Sequence, residues 1–80
     1  MDNQSIYDNI FCETFEVDKA ALNDSFTFQN IETWDSVAHI SMISKLEDAF
    51  DVMFDSTDIL HKGWSYQFGI EVLKRYGVEF

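Results

Sequence analysis

Eighty residues carry 15 acidic against 5 basic side chains, a formal net charge of −10 with both histidines neutral. At 46% hydrophobic and 16% aromatic, with no proline, the chain is too apolar for a charge-driven disordered tail and is expected to fold as one small acidic domain over residues 1–80. A domain of this size buries only roughly 60–65% of the surface its unfolded chain exposes, which leaves one thin core and little room for a deep catalytic cleft.

The charge sign excludes whole classes of partner. Nucleic acid and anionic membrane surfaces select basic patches, and only Lys19, Lys45, Lys62, Lys74 and Arg75 are present, so protein partners are expected to be basic. Cys12 is the lone cysteine, which excludes an intrachain disulfide and a disulfide-stapled scaffold. The segment MDNQSIYDN lacks a basic and then apolar leader pattern, and no run approaches the ~20 apolar residues of a membrane span. A cytoplasmic location is the expectation, and the sequons at Asn3 and Asn23 carry no weight.

In chain order, Ile6, Ile10, Phe11 and Phe15 predict an amphipathic helix over about 3–16. Asp2, Asn3 or Ser5 can cap it, and Ser5 with Asp8 forms a weak capping box. From Val17 to about Asp35 neither a helical nor a strand period persists. Val17, Leu22, Phe26, Phe28, Ile31 and Trp34 are nevertheless too apolar to stay in water, so a long loop folded down across the molecule is expected, with a strand-like stretch only at Phe26–Phe28. Val37, Ile40, Ile43, Leu46 and Phe50, broadened by Met42 and Ala49, predict a helix over Ser36–Phe50. Segment 46–61 then holds Glu47, Asp48, Asp51, Asp55 and Asp58 with no Lys or Arg, a formal charge of −5. A short helix is predicted at about 56–61, carrying Ile59 and Leu60 and broken by Gly63. A last helix over Ser65–Tyr76 uses Tyr66, Gly69, Ile70, Leu73 and Tyr76, with Lys74 and Arg75 complementing the dipole and Gly77 ending it. The fold class is all-α, a four-helix bundle of three longer helices and one short one, with a long loop between the first two.

The informative stretch is Thr33-Trp34-Asp35-Ser36-Val37, an acid and a hydroxyl at the start of the second helix. Free N–H groups and the helix dipole favour an anion there, so a phosphate esterified to Ser36 would be well placed. Asp35 or Ser36 is equally readable as a plain N-cap, and the two readings are compatible.

Asp35-Ser36-Val37, followed by Ile40, Ile43, Leu46, Glu47, Asp48 and Phe50, resembles the Asp-Ser-Leu motif and second helix of the acyl carrier protein family. The likeness extends to Phe15-Glu16-Val17-Asp18, Leu22, Phe54, Asp58-Ile59 and Tyr76-Gly77, nearly the whole chain. The resemblance implies that Ser36 is the attachment point of 4′-phosphopantetheine, taken from coenzyme A by a magnesium-dependent phosphopantetheinyl transferase that Asp35 helps to recognise the serine. It implies a carrier and not an enzyme, holding an acyl or aminoacyl group as a thioester. Its partners would be an acyl- or aminoacyl-loading ligase or transferase and a downstream synthase or acyltransferase with basic docking patches. Val37, Met42, Glu47 and Asp48 match positions through which family members contact partners, although Val37 and Met42 are equally readable as core, and a monomer is the expected state of a shuttle.

Val37 stands in place of the usual Leu, and Ala38, His39 and Ser41 make this helix less acidic near Ser36 than in the carriers of fatty acid synthesis. The Trp-Asp-Ser form is more similar to stand-alone carriers of specialised pathways, such as polyketide or nonribosomal peptide biosynthesis. The rival reading is an acidic helical adaptor that binds a basic partner without modification. A Ser/His hydrolase built on His39 lacks an elbow motif and an orienting acid, and an exposed His39 at the partner surface is expected instead. Cys12, His39 and His61 lack zinc-site spacing, and the Asp48, Asp51, Asp55, Asp58 series lacks a calcium loop. Trp34, Trp64 and the eight Phe residues are read as core and loop anchors, compatible with a filled core and no standing cavity.

Overall fold

The first helix, α1 (Asn3–Phe15), starts where the Asp2 carboxylate accepts the Ser5 N–H at 2.8 Å, so the cap is Asp2 and not the Ser5/Asp8 box. Its buried face is Tyr7, Phe11 and Phe15, an unbroken four-residue spacing, while Ile6 and Ile10 are only partly buried. Glu16 ends it in the left-handed region (φ 56°), and the Val17 N–H closes the turn on the Cys12 carbonyl at 3.2 Å. The computed structural model describes residues 2–80.

A 3₁₀ turn (Lys19–Ala21) follows, and the chain then crosses the molecule through Phe26 and Trp34, which are 1% and 2% exposed. The strand-like stretch at Phe26–Phe28 is instead one antiparallel bridge, Thr27 to Ser65. The Phe28 N–H donates to the Trp64 carbonyl, and the Tyr66 N–H donates to the Phe26 carbonyl, each at 2.9 Å. A lone bridge arises because Ser65 is the cap of a helix and turns away after one residue.

Helices α2 (Ser36–Phe50), α3 (Ser56–Ile59) and α4 (Tyr66–Arg75) complete an all-α domain of four helices, with no strand among the described residues. Asp35 caps α2, and Ser65 caps α4 by accepting the Phe68 N–H at 2.9 Å. Gly77, at φ 92°, closes α4. Its N–H bonds the Lys74 carbonyl and the Val78 N–H bonds the Leu73 carbonyl, each at 3.0 Å, a paired arrangement that needs a left-handed residue.

The interior is aromatic. Trp34 lies 4.6 Å from Phe15 and edge-on to Phe11, ring centre to ring centre, while Phe26 meets both phenylalanines edge-on. Tyr7 donates its hydroxyl to the Tyr66 carbonyl at 2.6 Å, and Gly69 passes so close that a Cβ there would fall on that hydroxyl. Absence of a side chain at Gly69 thus lets α4 approach α1. No helix among the described residues is long and apolar enough to cross a membrane.

Candidate functional site

Ser36 is the first residue of α2 and is exposed. Asp35 does the capping, accepting the Ala38 N–H at 2.8 Å, while its own carbonyl accepts the His39 N–H at 2.8 Å. The Ser36 hydroxyl is therefore not used as the cap. What fixes its position is the loop before it: the Thr33 hydroxyl donates to the Phe15 carbonyl at 3.0 Å, and the Trp34 ring is locked into the aromatic core.

One turn along α2, His39 makes two bonds. Trp34 Nε1–H donates to His39 Nδ1 at 3.1 Å, and His39 Nε2 lies 2.8 Å from the Ile59 carbonyl oxygen. The indole can only donate and the carbonyl can only accept, so one neutral tautomer, with the proton on Nε2, satisfies both. The ring lies nearly parallel to that of Trp34 and edge-on to Trp64.

A half-open groove of about 620 Å³ runs between α2 and the α3–α4 connection, with Ser36 on its rim. Phe28, Ile40, Ile59, Leu60 and Trp64 make its walls apolar, and His39 and Lys62 add polar edges. Leu60 is 73% exposed and Ile40 55%, a large outlay of apolar surface for so small a domain. Compared with family models, curated proteins and solved structures, the chain matches none.

Of the residues singled out in the sequence, Asp35, Ser36 and Val37 come together at the α2 N-terminus, with Val37 80% exposed. Met42 is fully buried and packs in the core, the second of the two places its sequence allowed. Glu47 is partly buried and accepts the Phe54 N–H at 3.0 Å, which folds the segment after α2 back onto the helix. Asp48 is exposed and lies away from Ser36, beside a shallow depression between α1 and α2 formed with Ile6, Ile10 and Lys45.

His39 is not the exposed residue expected at a partner surface. Trp34 and Ile59 occupy both of its ring nitrogens, so it has none left to serve Ser36 as a base. Val37 and Ile40, expected on the buried stripe, face outward, and the short helix ends at Ile59 with Leu60 turned to solvent. Within the acidic stretch, Asp58 is committed to the fold: it pairs with Arg75 at 2.8 Å and accepts the Tyr76 hydroxyl at 2.8 Å, and these partners hold its carboxyl below the usual range. Burial raises the Cys12 thiol above its ordinary value, the wrong direction for a nucleophile. Among the described residues no three His, Cys, Asp or Glu side chains gather for a metal ion.

The groove was not legible as such. Its parts come from the crossing loop, α2, and the chain on both sides of Gly63, and the one sequence signal near it was the Trp34-Asp35-Ser36 run.

Proposed function

We propose that this chain is a carrier protein, a bundle of acyl carrier protein type that bears 4′-phosphopantetheine on Ser36 and carries an acyl or aminoacyl group between enzymes of a specialised biosynthetic pathway. The observation that carries this reading is the pairing of an exposed serine, relieved of capping by Asp35, with an apolar groove of about 620 Å³ opening at its side. A hydrolase reading has no such support, because His39 is engaged on both nitrogens.

The residues present fit the group. A phosphodiester on Ser36 would meet the free N–H groups and positive dipole end of α2, and solvent would reach it without any rearrangement of the core. When bound, the group supplies a thiol whose acyl thioester has an electrophilic carbonyl and an acidified α-carbon. In the transfer that installs it, the Ser36 oxygen forms a bond to the pantetheine-bearing phosphorus of coenzyme A. The pyrophosphate bond breaks, 3′,5′-ADP leaves with the electron pair, and the hydroxyl proton passes to a base of the transferase. Nothing in this chain activates Ser36, so a separate magnesium-dependent phosphopantetheinyl transferase is required.

The remaining partners are a loading ligase or transferase and a synthase or acyltransferase. Val37 and Ile40 offer them apolar contact beside Ser36, and the net charge of −10 steers basic surfaces toward the chain in fast, salt-sensitive encounters. Glu47 has less to offer, because its carboxylate is already bonded to Phe54.

Incubating the folded protein with a fluorescent coenzyme A analogue, magnesium and a broad-specificity transferase tests the reading. Label on the parent and none on Ser36→Ala is expected. A folded parent that takes no label would leave the unmodified acidic adaptor as the better account of the exposed apolar and acidic surface.

A further inference from the structure

We propose that His39 is a positioning residue of the Ser36 site, a latch that holds α3 against α2 and so sets the width of the groove. That the groove shelters a group carried on Ser36 rests on the carrier reading; the latch does not.

Helix α3 has four residues and no fully buried side chain, and Asp55 caps it without a side-chain bond. A helix this short does not hold its own place, so its position is set by what it is tied to. On the α4 side the ties are several. Trp64 Nε1–H donates to the Asp58 carbonyl at 2.7 Å, the Asp58 carboxylate takes Arg75 and the Tyr76 hydroxyl, and the Tyr76 oxygen accepts the Asp55 N–H at 2.9 Å. On the α2 side two hydrogen bonds reach this segment: the Glu47 carboxylate accepts the Phe54 N–H just before α3, and His39 Nε2 bonds the Ile59 carbonyl at its C-terminal end.

With Phe54 buried and tied to Glu47, the N-terminal end of α3 is the hinge, and the His39 bond is the one hydrogen-bonded catch at its C-terminal end, beside the packing of Ile59. Loss of the His39 bond leaves α3 fastened to α4 and held at its start by Phe54, with its C-terminal end able to swing from α2, which parts the Ile59 and Leu60 wall from the Ile40 and Ser36 wall. The catch is itself anchored, because Trp34 holds Nδ1 from inside the core. Keeping both bonds takes one acceptor and one donor on one side chain. A glutamine amide can supply that pair; a phenylalanine ring keeps the packing against Trp34 and Trp64 but supplies neither.

The test compares the parent, His39→Gln and His39→Phe. In the unmodified proteins, amide hydrogen exchange is measured at Ile59, Leu60 and His61, whose N–H groups close the α3 turns, and in the cores of α1 and α4. His39→Phe is expected to speed exchange at these three amides by about fivefold, the loss expected for one charge-neutral hydrogen bond, with the α1 and α4 cores unmoved and His39→Gln close to the parent. A second readout loads Ser36 with octanoyl- or acetyl-phosphopantetheine from the matching coenzyme A ester and follows cleavage of the thioester by hydroxylamine. In the parent, octanoyl should be cleaved more slowly than acetyl, and His39→Phe should abolish that difference.

Unchanged exchange at residues 59–61 in a folded His39→Phe protein would overturn the latch, and so would a uniform rise over all helices. Equal cleavage of octanoyl and acetyl in the parent would overturn the shelter. If the parent takes no group from the transferase, the carrier reading fails and the exchange pattern still decides the latch.

Discussion

Trp34 and His39 are joined by a hydrogen bond of 3.1 Å from indole N–H to imidazole Nδ1, which bridges the last apolar residue of the crossing loop to the second turn of α2. The two residues flank Ser36 in sequence, and their bond stiffens the backbone on either side of it. Trp34→Phe retains an aromatic ring in the core but leaves Nδ1 without its donor. We expect a loss of about 1–2 kcal/mol, from the missing bond and the smaller ring, read as a lower urea midpoint at unchanged slope. A midpoint equal to that of the parent would show that the bond contributes nothing.

Gly69 and Tyr7 make a sharper steric case. Alanine is better than glycine in a helix by about 1 kcal/mol, so propensity alone predicts that Gly69→Ala stabilises. The Cβ would, however, occupy the place of the Tyr7 hydroxyl and press on the Trp64 ring, and overpacking of that kind typically costs about 1–3 kcal/mol. A fall in the thermal midpoint is the expected outcome, and a rise would mean that Tyr7 gives way freely.

Residues that could be read ahead of the structure share a feature, a local cause. Asp35 caps α2 through a bond to the residue three further on, and Gly77 ends α4 through a turn that its own φ allows, so the start of α2 and the end of α4 follow from the chain itself; Ser65, expected as the first residue of α4, is its cap. The apolar stripe of α2 was less reliable. Three successive steps of three residues turn about 900° in an α-helix, so Val37 ends up on the face opposite Leu46, and only Ile43 and Leu46, joined by Met42, remain inside. Tyr7 is hidden in the sequence because its hydroxyl masks a residue that is fully buried, and its partner is a carbonyl 59 positions away. The engagement of His39 is hidden for a similar reason: its partners lie in the crossing loop and in α3, and no periodicity in α2 reports them.

At alkaline pH the tyrosines should limit stability. Burial, then the Asp8 carboxylate that accepts its hydroxyl, raises the Tyr66 phenol well above the ordinary value, and burial likewise raises Tyr7 well above the unfolded value of 10.0. Protonated phenols are thus favoured by folding, so their contribution is complete below pH 10 and is lost as pH rises above it, toward the folded values. Denaturant midpoints should fall above pH 10, and Tyr66→Phe should make that fall shallower. A flat profile to pH 11.5 would contradict the assignment.

Glu47 and Asp48, neighbours with the same charge, should separate in a stability assay. Glu47→Ala removes the acceptor of the Phe54 N–H and is expected to cost about 1–2 kcal/mol, whereas Asp48→Ala, exposed and without a bond of this kind, should stay within about 0.5 kcal/mol. Asp48 is therefore the variant in which to look for a salt-sensitive loss of partner binding, since its effect is not confounded by unfolding. Equal destabilisation of the two would mean that the Glu47 bond does not persist in solution.

On the carrier proposal Ser36 is a modification site and not merely the first residue of a helix. It is tested most directly by the intact mass of the folded protein after incubation with coenzyme A, magnesium and a phosphopantetheinyl transferase, with Ser36→Ala treated alongside. One phosphopantetheinyl group is expected to add to the mass of the parent, located to the peptide that contains Ser36, with no addition to the variant. An unchanged parent mass, in a sample whose near-UV spectrum shows the packed Trp34 and Trp64, would contradict it.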